Sequence, residues 1–420
     1  MNNKYINGPI NVIRLEGEIF GISKVIYLFF DVHVNLDRQT KCTSLVNTNI
    51  YTYFAEEFLK ERKTYLDVFF EIGESYLFEN IRDTHYAYKD KYIHEVMKLF
   101  FKMIDYDKTK KKVIGTKFGE NIRFHWIDIR DYFKSKVNVT LSEISASIEK
   151  TQINNRITRH DLDILKEKYD QLKTSIDNIK TYFPNNVKRK LSRNKTREEN
   201  PLHSIKLAKR DVGKHIEKIM TKINSKYHHA EVFEKLSDIY NIIIKIFDNI
   251  INDIDFITDY IQDYNDLLAT YISTNGLYKL NKLHSDKLFI KDWYGYDPNV
   301  YEMNEKISKI KEYHLKLHEN ILISFSMLVD MYFLRRFLDK DYITNGIVYA
   351  GGAHVTQYIY TLVKHFDMKI THVSYSKYDI ETVTKKIKEM DITDPTIEEM
   401  FYPPYLQQCV DMGSFPKNFE

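Results

Sequence analysis

Two stretches decide the fold, KVIYLFFDVH at residues 24–33 and GIVYAGGAH at residues 346–354. Each is a short apolar run that ends in ionisable or glycine-rich sequence. Runs of this length bounded by turn signals read as buried strands. Two further runs behave alike: Tyr65–Ile72 (YLDVFFEI) and Ile122–Ile129 (IRFHWIDI). Ile10–Leu15 pairs with 24–30 as a hairpin around the turn-like EGEIFG, and Lys369–Ser374 (KITHVS) is another strand. Between the strands lie amphipathic segments such as YFAEEFLKE and YIHEVMKLFFKMI, and VTQYIYTLVKHF follows GGAH directly. Strands alternating with helices predict an α/β fold with a mainly parallel sheet and flanking helices.

The middle of the chain is different. Leu165, Tyr169, Leu172, Ile176, Ile179 and Phe183 repeat at heptad-like spacing, as do Leu236, Tyr240, Ile243, Phe247, Ile250 and Ile254. Both stripes suit long packed helices. The expected organisation is therefore 1–138 as the first half of an α/β core, 139–285 as an all-helical, coiled-coil-like insertion, and 286–420 as the second half. A basic loop at 185–201 separates the two stripes and reads as a solvated connector. Ile321–Leu338 reads as a buried helix, and the tail after Asp394 as a surface wrap.

Composition excludes several classes. The 420 residues are 43% hydrophobic, which argues against wholesale disorder. A net charge of +3 gives no global case for nucleic-acid binding. Two cysteines, Cys42 and Cys409, exclude a disulfide framework and a multi-cysteine zinc module, and reduced thiols are the default expectation. No signal peptide or membrane-spanning run is evident, so the expected location is cytoplasmic, meaning host cytoplasm or virion if the protein is viral.

The polar residues gather at strand ends. Asp31 and His33 follow the first run, Glu71 and Glu74 the second, His125, Asp128 and Arg130 mark the third, and Gly351, Gly352 and His354 the fourth. Parallel strands place their C-terminal ends on one edge, where ligand sites form. Asp31, His33, Glu71 and His354 could hold a divalent metal, Zn, Mn or Co, with an open water position. Alternatively His33 is a general base, with Arg130 or the 352–354 backbone facing an oxyanion. Gly351 and Gly352 supply close backbone approach to a ligand or cofactor. Glu74, His125, Asp128 and Arg130 form a second tier. His314 and His318, an i, i+4 pair, read as a solvated face, and His228-His229 has no carboxylate at useful spacing.

The early Phe30-Asp31-Val32-His33, the acidic Glu71 and the late Gly351-Gly352-Ala353-His354 together resemble the erythromycin esterase/ChaN/TIKI–TraB superfamily. Phe30 and Asp31 depart from that superfamily's early Gly and Glu. The resemblance implies hydrolysis of an ester or peptide substrate, metal-dependent in some members, with haem binding in ChaN-like members ranking below a metal here. The composition, with FDVH and IDIRD, is also similar to uncharacterised proteins of giant DNA viruses. The alternative function is a non-catalytic virion-associated or host-interaction protein on a degenerate hydrolase fold, with a protein partner bound through the helical region.

Overall fold

The computed structural model describes residues 5–34, 42, 47–73, 91–107, 112–154, 156–183, 217, 219–224, 227–274, 287–289 and 298–419. Glu74 and the basic loop at 185–201 lie outside the described residues. The chain divides into two compact units: Met1–Asp131, Lys226–Ser237 and Val329–Glu420 form the first, Tyr132–Ser225 and Asp238–Leu328 the second.

In the first unit the N-terminal part runs β1 (Tyr5–Asn7), β2 (Asn11–Ile19), β3 (Ile22–Asp31), β4 (Asn47–Asn49), α1 (Ile50–Phe58), β5 (Leu66–Gly73), α2 (Tyr92–Met103), β6 (Ile104–Asp107), β7 (Lys112–Thr116) and β8 (Ile122–Asp128). The long helix α3 (Arg130–Asn154) then leads into the second unit. That unit holds β9 (Arg156–Thr158), α4 (Arg159–Lys180), most of α5 (Ala230–Thr274), β10 (Lys287–Phe289) and α6 (Pro298–Asp339) up to Leu328. From Val329 the chain belongs again to the first unit, with β11 (Asn345–Gly351), α7 (Gly352–Phe366), β12 (Lys369–Val373), α8 (Ile380–Glu389), α9 (Thr396–Phe401) and β13 (Cys409–Asp411).

The main sheet has six strands in the order β12-β2-β3-β11-β5-β8. Strands β3, β11, β5 and β8 are mutually parallel, whereas β2 is antiparallel to both its neighbours. The smaller sheets are β13-β1-β4, with one antiparallel and one parallel pairing, and the antiparallel pairs β6-β7 and β9-β10. The sheets are thus mixed, not mainly parallel as expected. The β2-β3 hairpin reverses direction at Phe20-Gly21, both at positive φ (52° and 78°), which suits a tight two-residue turn. EGEI is therefore strand rather than turn.

Side-chain alternation explains the layers. Tyr27, Phe29, Val68, Phe70, Ile347 and Tyr349 face one side, where Ile50, Phe54 and Phe58 of α1 and Val96 and Phe100 of α2 pack with Phe118. The other face carries Phe69 against Phe333 and Phe337 of α6 (ring centroids 5.1 and 6.5 Å). Two faces buried under helices account for strands that read as almost continuous apolar runs.

The C-terminal tail is not a surface wrap. Val410 pairs with Ile6 in the β1-β13 ladder, and Phe415 and Phe419 are buried against Tyr27. A disulfide joins Cys42 to Cys409 across 367 residues of sequence, so the expectation of reduced thiols is corrected.

In the second unit both stripes behave as read: Leu165, Tyr169, Leu172, Ile176 and Ile179 are buried along α4, and Ile243, Phe247, Ile250 and Ile254 along α5. Helix α4 starts with a capping box between Thr158 and Asp161. The unit is not all-helical, since it holds the β9-β10 pair. His314 is not on a solvated face. It is buried, with Nε2 2.9 Å from Ser145 Oγ and Nδ1 3.0 Å from the Tyr169 hydroxyl, and burial together with His318 lowers it to about 4.

Candidate active site at the strand ends

The parallel strands bring their C-terminal ends together as the sequence suggested. Gly351 is the register partner of Asp31, and Gly73, two residues after Glu71, is that of Asp128. Glu71 is the centre. Its Oε1 accepts from the Arg130 guanidinium at 2.5 Å and lies 3.2 Å from His354 Nε2. Its Oε2 accepts from the Gly351 N–H at 2.6 Å and lies 3.5 Å from His33 Nε2.

Each imidazole has a second carboxylate behind it. His33 Nδ1 bonds to Asp31 Oδ2, which also accepts the His33 backbone N–H at 2.8 Å, while Asp31 Oδ1 accepts from the Tyr349 hydroxyl at 2.7 Å. His354 Nδ1 lies 2.6 Å from Asp330 Oδ1. Arg130 is held by Asp128 through its backbone N–H, Nε and guanidinium, each at 2.9 Å. Asp31, Glu71, Asp128, Asp330 and His354 are all buried. The His33 side chain is 27% exposed against 3% for Glu71, so His33 is the member of the central pair that meets solvent.

The backbone at His33 is left-handed, with φ of 54°. A non-glycine residue there carries about 1–3 kcal/mol of strain, and such strain concentrates at functional positions. Gly351 is required by space: a Cβ there would sit 3.1 Å from Glu71 Oε2 and 3.2 Å from His33 Nε2. At Gly352 a Cβ would fall 1.9 Å from the Tyr402 hydroxyl oxygen. Gly352→Ala is expected to cost about 1–3 kcal/mol, as overpacking does. Thermal unfolding of Gly352→Ala with and without Tyr402→Leu checks this, since removing the phenol should recover most of the loss.

The structure does not bring every expected residue together. His125 does not join the site. It lies three residues before Asp128, about 10 Å back along the strand, with Nε2 2.6 Å from Asp67 Oδ1 and Nδ1 accepting from Arg336 at 3.0 Å. Arg123 completes that separate cluster with two bonds to Asp67. At the glycines, the Gly351 N–H serves Glu71 and the Tyr402 hydroxyl lies over Gly352. Asp31, His33, Glu71 and His354 do come together, with His33 Nε2 and His354 Nε2 both facing the Glu71 carboxylate. Their other polar atoms bond outside the set: Asp31 Oδ1 to the Tyr349 hydroxyl, His354 Nδ1 to Asp330, and Glu71 to Arg130 and the Gly351 N–H. Among the described residues the group whose ligand atoms all lie within 4.8 Å of one another is a different one, His228, His229 and Asp341. Asp330 and Tyr349 are site residues the sequence reading missed.

A family model described as "Family of unknown function (DUF5847)" matches residues 4–420. The chain belongs to this family. Three uncharacterised proteins of Acanthamoeba polyphaga mimivirus are similar to it. They are 33%, 30% and 32% identical, over 100%, 99% and 100% of this chain and 98% of each relative. No solved structure matches. Among the described residues of this DUF5847 chain, no helix is long and apolar enough to cross a membrane.

Electrostatics follow from the geometry. Burial alone would lower His33 and His354, but Asp31 and Glu71 raise the first, and Glu71 and Asp330 the second, each to about 10. Burial would raise Glu71, yet His354, His33 and Arg130 hold it well below the usual carboxylate range. Burial wins at Asp330, which is raised despite His354.

The stability consequence has a definite sign. The two histidines, with folded values above their ordinary 6.5, contribute fully below about pH 6.5, and that contribution is lost as pH rises through about 10. Glu71 contributes above its ordinary 4.5, and its contribution is lost as pH falls toward its depressed value. Asp330 works against the fold as pH climbs past its ordinary 3.8. The melting temperature of the DUF5847 protein is therefore expected to fall between pH 7 and pH 10, measured by calorimetry. An unchanged value across that range would contradict the charged-imidazole network.

Proposed function

We propose that the chain is a hydrolase-like protein acting on an ester or peptide bond, with His33 as the proton-transfer group. The observation that carries this is the convergence of two Asp–His pairs, Asp31–His33 and Asp330–His354, on one buried carboxylate, Glu71. The superfamily resemblance noted from Asp31, His33, Glu71 and His354 agrees with it. Asp31 fixes the His33 ring through Nδ1, leaving Nε2 toward Glu71 and solvent. In the reaction, water attacks the acyl carbon while neutral His33 takes its proton. The tetrahedral intermediate collapses and the proton passes to the departing alkoxide or amine. Helix α7, whose N-cap Gly351 makes no side-chain cap bond, directs its positive end to the same strand edge and suits a developing oxyanion. Arg130 does not serve that role here, since Asp128 and Glu71 occupy it.

The His33 value of about 10 gives the reading a signature. Turnover of an ester and peptide panel is expected to rise with pH from 7 toward 10 and to fall by about 10²–10⁴-fold in His33→Ala, the usual size of a general-base contribution. Unchanged turnover in His33→Ala, or none with any substrate in the wild type, sinks it.

A second reading is favoured by one observation: both Glu71 oxygens are fully engaged by protein groups. On it, the chain is a non-catalytic virion-associated or host-interaction protein, its partner held by the second unit. The disulfide and the mimivirus relatives support a virion location over reducing cytoplasm, because such bonds persist on virion surfaces and are rare in the cytosol. A partner captured by wild type and lost with substitutions in residues 139–285, without turnover, supports this reading over catalysis.

A further inference from the structure

A second cluster of ionisable groups lies outside the strand-end site, on the first unit. His228 and His229 are adjacent in sequence, and Asp341 is 112 residues from His229. His229 Nε2 is 2.7 Å from Asp341 Oδ1, His228 Nδ1 is 3.3 Å from Asp341 Oδ2, and the two imidazole nitrogens face each other at 3.2 Å. Two ring nitrogens and a carboxylate that converge like this need a shared proton or a shared cation between them.

The cluster is built rather than incidental. Both backbone N–H groups of the histidine pair donate to one oxygen of Asp339, at 2.6 and 2.9 Å, and Asp339 is fully buried. Phe20 stacks on the His229 ring at 4.6 Å, fixing its plane. Lys340 balances the other Asp339 oxygen at 2.9 Å, so the charge of Asp341 remains for the imidazoles. The His228 side chain is 62% exposed and Asp341 46%, which leaves the cluster open on its outer side.

We propose that His228, His229 and Asp341 form a binding site for a divalent transition-metal ion of the zinc class. Four ligands at about 2.0–2.1 Å in a tetrahedron stand about 3.3 Å apart, and the three separations here run from 2.7 to 3.3 Å. The two imidazole donors favour zinc or copper over calcium and magnesium, which prefer all-oxygen ligands. Three protein ligands leave the fourth position to water or to a ligand from outside. Bound metal would clamp the segment 226–237 to the turn at 339–341 within this unit.

The test uses the full-length, tag-free protein and Zn(II) alone, titrated by calorimetry, with Co(II) as a spectroscopic probe of coordination. One equivalent of Zn(II) is expected to bind and to raise the melting temperature. His228→Ala and Asp341→Asn are each expected to weaken binding by at least about tenfold, the usual loss when a metal site is disturbed. His33→Ala should leave binding unchanged. His228 is exposed, so its replacement spares the core, and circular dichroism verifies the fold of each variant. Absence of a stoichiometric Zn(II) event in the wild type overturns the proposal, as does unchanged affinity in both cluster variants.

Discussion

Glu71→Gln is expected to destabilise the protein by about 3–5 kcal/mol, the range seen when one member of a buried ion pair is removed. The substitution keeps size and shape but leaves three cationic groups, His33, His354 and Arg130, without the carboxylate they share. Burial then acts on both imidazoles with only Asp31 and Asp330 opposing it, so their values should fall from about 10. Asp128→Asn should cost less, because Arg130 would still pair with Glu71. Chemical denaturation of the two variants against wild type measures the difference. A Gln variant as stable as wild type would mean that Glu71 is not the hub of the network.

Loss of the Cys42–Cys409 disulfide is expected to be of similar size. The bond closes a loop of 367 residues and ties Cys42 to β13, whose Cys409 is the register partner of Asn7 in β1. Removing a cross-link that closes a long loop costs roughly 2–5 kcal/mol, chiefly through the freedom returned to the unfolded chain. Cys409→Ser, or the wild type in reductant, should therefore unfold at clearly lower denaturant concentration. Native protein purified without reductant should titrate no free thiol. Two reactive thiols in the native state would contradict the bond.

The strand-end site was legible because its chemistry is written at the ends of apolar runs. Asp31, Glu71, Asp128 and His354 each follow a stretch that must be buried, and parallel pairing carries them to one edge. What pairing could not show is which side a side chain leaves. His125 sits on the same strand as Asp128 and looks equivalent in sequence, yet it belongs to the Asp67 cluster two residues upstream of Phe69 on β5. Asp330 carried a readable signal: a carboxylate interrupting an apolar helix must find a partner, and it finds His354. Tyr349 gave none, since a strand tyrosine reads as core and its hydroxyl contact to Asp31 is set by register.

Two of the misreadings share one cause, which is distance along the chain. Cys42 and Cys409 looked like free thiols because 367 residues separate them. His228-His229 seemed to lack a carboxylate because Asp341 comes so much later. The β2-β3 hairpin was legible, and only its turn moved, from EGEIFG to Phe20-Gly21.

The protonation state of the two imidazoles tests the central claim most directly. Nitrogen-edited NMR of His33 and His354, assigned with His33→Ala, reports it over pH 6 to 10. Both rings are expected to stay protonated through pH 8, with titration near 10, and to titrate at clearly lower pH in Glu71→Gln. Rings that titrate near 6.5 in the wild type, and identically in Glu71→Gln, would contradict a site organised around Glu71.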